Sequence, residues 1–204
     1  MPHPQPPTRL TPEEYLRREN DSSVKHEYYR GEVFAMAGGT FEHSRIIVNV
    51  AGELRNRLKS TPCGVQQGDL RVRVARTSMY TYPDVSVLCG EPQFDPLDGR
   101  RLTLTNATVL VEVLSPTTES WDRGGKFDNY RQIDSLREYV MVSWDAARVE
   151  TYLRQPDGRW LFAAALGLAA TARLESIGVE LPLAEVYGGV TLPGPVNRSD
   201  ERPG

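Results

Sequence analysis

The most apolar stretch of the chain, Thr108-Val109-Leu110-Val111-Glu112-Val113-Leu114, carries a carboxylate near its centre. A near-continuous run of aliphatic residues marks a strand covered on both faces, so the fold must place a layer of structure on each side of a sheet. Glu112 then lies inside that sandwich, where a lone charge is costly unless something positive meets it.

The segments around this strand define the class. Thr11-Pro12-Glu13-Glu14 reads as a capping box with Pro at the first helical position and opens a short helix through Glu19. Lys25 to Tyr29 and Val33 to Met36 flank Arg30-Gly31-Glu32 as a hairpin. From Thr40 to Lys59, Ile46, Ile47, Val50, Leu54 and Leu58 recur at the helical period. Strands are expected at 64–67, 69–75 and 82–88, with Arg71 and Arg73 alternating onto a wet face. After Ser115-Pro116 a helix is expected from Trp121 to Ile133. It is followed by strands at 137–143, 148–153 and 160–165, a weaker strand, and a short helix at 183–187. Helix, strands, helix, strands in that order predict an α/β (α+β mixed sheet) protein with helices against a central mixed sheet.

At 204 residues the chain suits one domain, expected over 11–190, with Pro-rich and polar tails at 1–10 and 191–204. No window approaches a membrane span, and Met1-Pro2-His3-Pro4 lacks the basic and apolar start of a secretory signal, which predicts a cytoplasmic protein with no membrane partner. Cys63 and Cys89 lack a CxxC spacing and are expected as buried, reduced thiols. The net charge of −3 argues against wholesale coating of nucleic acid. Against that, Arg45, Arg55, Arg57, Lys59, Arg71, Arg73 and Arg76 crowd one stretch and would suit a local basic face, although a solvated face explains them equally well.

Three features carry chemistry. Asp84 follows Pro83 at the start of a strand, and Glu112 enters the sheet from another. Two carboxylates converging in a sheet suit a hard divalent cation, Mg2+ or Mn2+, which takes oxygen ligands. An ordinary turn residue and a buried ion pair are the bland alternative. On the following helix, Asp122, Lys126 and Tyr130 fall on one face at i, i+4 and i+8, where Lys126 could neutralise a scissile phosphate or simply pair with Asp122. Glu32 and His43 are weaker supporting candidates. A metal-free pair of carboxylates acting on sugars is a further reading of Asp84 and Glu112.

Pro83-Asp84-Val85, Val111-Glu112-Val113-Leu114-Ser115-Pro116-Thr117-Thr118, Asp122-Arg123-Gly124-Gly125-Lys126-Phe127 with Tyr130, and the Gly31 to Gly39 run GEVFAMAGG together resemble the Uma family of putative restriction endonucleases in the PD-(D/E)xK nuclease superfamily. The resemblance spans Thr11 to Arg154. It implies a four-stranded mixed, restriction-endonuclease-like core flanked by helices, here with an added N-terminal helix and hairpin. It further implies Asp84, Glu112 and the Val113 carbonyl as metal ligands, Lys126 as a catalytic group, DNA as substrate, and a homodimer, for which the hairpins at 148–165 offer edges. The superfamily's usual Lys stands two residues after the Glu. That position is Leu114 here, so Lys126 is implied as a migrated replacement. The alternative is an inactive nucleic-acid-binding or scaffold protein that keeps the fold.

Overall fold

A computed structural model describes residues 9–36 and 38–193, and of the tails expected at 1–10 and 191–204, residues 1–8 and 194–204 lie outside the described residues. The chain order is α1 (Pro12–Glu19), β1 (His26–Tyr29), β2 (Glu32–Ala35), α2 (Phe41–Leu58), β3 (Cys63–Gln67), β4 (Arg71–Val74), β5 (Met79–Thr81), β6 (Val85–Cys89), β7 (Thr103–Leu104) and β8 (Val109–Val113). Next come α3 (Glu119–Trp121), a π turn (Asp122–Lys126) and α4 (Phe127–Tyr130), then β9 (Glu138–Val142), β10 (Arg148–Arg154), β11 (Trp160–Leu166), β12 (Thr171–Leu174), β13 (Val179–Pro182) and α5 (Leu183–Val186).

Six strands form the central sheet in the order β11-β10-β9-β8-β6-β3, with β8 and β9 parallel and the other neighbours antiparallel. The four-stranded core implied by the resemblance is thus embedded in a wider mixed sheet. The alternation of β8 explains why its sequence is apolar throughout. Val109, Val111 and Val113 face a layer built from Ile46, Val50 and Leu54 of α2, Leu181 of β13 and Leu183 of α5. Leu110 and Leu114 face the opposite way, against Tyr130, Leu136 and the second sheet's Val72, Val74 and Met79. That second sheet runs β2-β1-β5-β4-β7. Glu112 shares its face with Leu110 and Leu114, between the two sheets.

Three expectations are corrected. The strand expected at 82–88 starts only at Val85, after Pro83-Asp84, as β6 of the central sheet, and residues 79–81 just before it form β5 of the second sheet, which was not expected. Proline cannot donate to a ladder, and the chain changes sheets where it interrupts pairing. Arg71 does not face water. It is buried, its guanidinium 3.0 Å from Asp98 and also bonded to Thr103 and Asn20. Arg73 is likewise paired, with Asp95 at 2.5 Å. Cys63 and Cys89 are joined as a disulfide, because the β3–β6 register sets them directly opposite each other. Among the described residues no helix is long and apolar enough to cross a membrane.

Candidate active site

The β6–β8 register pairs Val85 with Val111, and one further step sets Asp84 opposite Glu112. Like charges directly across an antiparallel pair repel at short range, so the ladder itself concentrates negative charge at this corner. Asp84 is fixed there because the backbone N–H of Val113 donates to its Oδ2 at 2.7 Å. His43 arrives from the first turn of α2, which Thr40 caps by accepting from the His43 N–H at 3.2 Å. Its Nε2 lies 2.9 Å from the Val113 carbonyl and 3.7 Å from Asp84 Oδ2. A carbonyl only accepts, so Nε2 carries the proton in this arrangement.

Lys126 reaches the same corner from the π turn. Its Nζ is 3.0 Å from Glu112, 3.3 Å from Glu27 and 3.4 Å from Asp122, and the side chain is buried. The expected i, i+4 pairing of Asp122 with Lys126 therefore exists, yet it is one edge of a larger cluster rather than an exposed helix bridge. Gly124-Gly125 weakens the α-helical preference locally, and the widened turn that results is of a kind often found at functional sites. Tyr130 donates to Glu112 Oε1 at 2.6 Å. Thr81 of β5 donates to Glu27 of β1 within the second sheet and lies 3.3 Å from the Tyr130 hydroxyl, so Tyr130 links that sheet to Glu112 of the central one.

Burial raises the Asp84 and Glu112 carboxyls above their ordinary range, with Asp122 adding repulsion to both, while His43 and Lys126 oppose the rise at Asp84 and Lys126 opposes it at Glu112. Burial would lower Lys126, but Glu112, Tyr130, Glu27 and Asp122 outweigh it and hold the ammonium well above its usual value. The ammonium is a permanent charge at neutral pH, suited to stabilising an anion and unsuited to acting as a base. Tyr130 is also held protonated, chiefly by burial and then by Glu112.

Hard oxygen donors converge at this buried, acidic corner, and the buried Asp122 Oδ1 has no hydrogen bond, meeting only the Lys126 ammonium 3.4 Å away. That donor chemistry fits Mg2+ or Mn2+. Among the described residues no three His, Cys, Asp or Glu side chains are poised to hold an ion by themselves, so an ion would rely on Asp84, Glu112, the Val113 carbonyl and water. Leu114, at the superfamily's Lys position, is packed in the core beside Leu110 and Tyr130. Of the sequence candidates, Asp84, Glu112, Val113, Lys126, His43, Asp122 and Tyr130 come together. Glu32 does not: it is exposed on β2, while Glu27 of β1 supplies the acidic contact. Glu27 was missed because it and Glu32 lie on the same hairpin face, and only the hairpin's docking sets Glu27 rather than Glu32 beside Lys126.

A family model described as "Uma2: Putative restriction endonuclease" matches residues 12–184. An uncharacterized protein of Synechocystis sp. is 39% identical over 187 residues, covering 90% of this chain and 94% of the relative. A second from the same organism is 34% identical over 158 residues, covering 78% and 88%. In fold the chain is similar, at a TM-score of 0.71 and 16% identity over 87% of this chain and 97% of the other, to a crystal structure titled a putative nuclease belonging to DUF820 from Anabaena variabilis.

Proposed function

The chain belongs to the Uma2 family of putative restriction endonucleases, and on that premise we propose that it is a metal-dependent endonuclease hydrolysing phosphodiester bonds of DNA. The observation that carries the reading is the corner where Asp84 stands opposite Glu112, with the buried Lys126 ammonium 3.0 Å from Glu112. A bound Mg2+ or Mn2+, held by Asp84, Glu112 and the Val113 carbonyl, would supply activation of water and charge neutralisation at phosphate.

The chain's own residues do the remaining work. Lys126 offers N–H donors and a fixed positive charge where a scissile phosphate gains negative charge, an effect that is largest in a buried, preorganised site. Glu27 and Asp122 hold that ammonium in place. Tyr130 orients the Glu112 carboxylate by donating to Oε1, which leaves Oε2 for a ligand. His43 and the Val113 N–H fix the strand end and Asp84 relative to each other.

The test is incubation of the protein with plasmid and single-stranded DNA, with Mg2+ or with chelator. Cleavage that needs the ion and disappears in Asp84→Ala, Glu112→Ala and Lys126→Ala supports the assignment. Persistent integrity of both DNAs under every ion condition would favour the non-catalytic, nucleic-acid-binding reading instead.

A further inference from the structure

The hairpin face that brings Glu27 to Lys126 carries other groups. Side chains alternate along a strand, and the register pairs Glu27 with Phe34 and Tyr29 with Glu32, so these four share one face. The opposite face packs Tyr28 against Tyr15 and Tyr80. Because Glu27 lies 3.3 Å from Lys126, the shared face is the one that overlooks the carboxylate cluster.

On that face Phe34 stands across from Glu27 and is 50% exposed. The Tyr29 ring lies 5.9 Å from Trp121, which is 37% exposed and precedes Asp122 in the chain. Trp121 is seated rather than loose. A Cβ at Gly125 would fall 2.0 Å from its ring, so the indole lies directly on the backbone of the π turn that delivers Lys126. The Arg30 guanidinium sits 5.0 Å above the Tyr29 ring, and among the described residues it has no carboxylate partner.

Rings of this kind, held open to solvent beside a site, favour a ligand with flat apolar faces. At the adjoining turn, the Arg30 guanidinium over the Tyr29 ring complements a negative backbone. A duplex hides its base faces in its own stack, whereas an unpaired nucleotide presents them. We propose that Trp121 and Phe34, with Arg30, form a stacking platform for an unpaired nucleotide beside the scissile phosphate, so that the site takes single-stranded DNA in preference to intact duplex. The position of that phosphate rests on the nuclease reading above, while the stacking itself is measurable without cleavage.

The experiment is fluorescence anisotropy of a labelled oligothymidylate and of a labelled hairpin duplex, titrated with the full chain in chelator. Single strand binds more tightly than duplex, and Phe34→Ala and Trp121→Ala each weaken single-strand binding by about fivefold to a hundredfold. Trp121→Phe, which keeps a ring, retains most of the affinity and separates stacking from misfolding. Equal binding of duplex and single strand, binding of neither, or unchanged single-strand binding in both alanine variants overturns the proposal. A protein that grips single strands but cuts none with Mg2+ would sink the cleavage reading alone. One that cuts duplex as readily as single strands would sink the platform alone.

Discussion

Lys126→Met removes the one cation among Glu112, Glu27 and Asp122, which lie 3.0, 3.3 and 3.4 Å from its ammonium. The lysine side chain is 7% exposed and that of Glu112 is 5%, so water replaces little of what is lost. Breaking a buried pair by deleting one partner costs about 3–5 kcal/mol, because the other charge stays buried and unpaired. For a chain of this size each kcal/mol moves Tm by about 2–4 °C, which predicts a fall of about 6–20 °C at neutral pH. The pH dependence has a definite sign. Glu112 has a folded-state pKa raised by burial, and losing Lys126 raises it further. A carboxyl of that kind favours the folded state while protonated and loses that contribution as pH rises through its folded pKa. The deficit of the variant relative to wild type should therefore be largest at neutral and alkaline pH and shrink on acidification. Thermal melts of both proteins across the acidic to neutral range, in chelator, read this directly. Glu112→Gln in the Lys126→Met background should recover part of the loss. A deficit below about 1 kcal/mol that does not change with pH is what an exposed helix pair would give, and it would refute the buried-cluster reasoning.

Two further predictions concern the scaffold. Arg71→Met strands the buried Asp98 carboxylate, and although Thr103 and backbone N–H groups still donate to it, denaturant unfolding at neutral pH should show a loss of about 3–5 kcal/mol. Asp98 has a lowered pKa, from Thr103 and Arg71 donation working against burial, so its stabilisation is present above the unfolded carboxylate range and fades as pH falls through it. At low temperature the folded variant should match wild type in the oligothymidylate titration, whatever affinity wild type shows, since Arg71 is internal. The homodimer is also kept as a proposal: β11 is a sheet edge with Leu161, Phe162 and Leu166 exposed. Sedimentation should give a dimer that Phe162→Lys dissociates, and a wild type that stays monomeric at all concentrations removes the idea.

Much of the layered architecture was legible because it rests on local periodicity. The α2 stripe of Ile46, Val50, Leu54 and Leu58 is the face that packs on the sheet, and the Arg30-Gly31 turn has the two positive φ values its hairpin requires. Asp84, Glu112 and Lys126 were legible from a buried carboxylate and a resemblance. What was not legible depends on register and docking. The opposition of Asp84 and Glu112, and of Cys63 and Cys89, follows from strand offsets that composition does not encode. Arg71 alternates like a surface residue, and only the approach of the loop bearing Asp98 makes it internal. Glu27 and Glu32 flank the same turn with similar patterns, and tertiary packing selects between them.

The most direct test of the site is calorimetric titration of Mg2+ or Mn2+ into the wild type, Asp84→Ala and Glu112→Ala, each checked for folding by circular dichroism. The account predicts saturable binding in the wild type that is lost in both variants. Binding that survives in both folded variants, or a folded wild type that takes up neither ion, would contradict it.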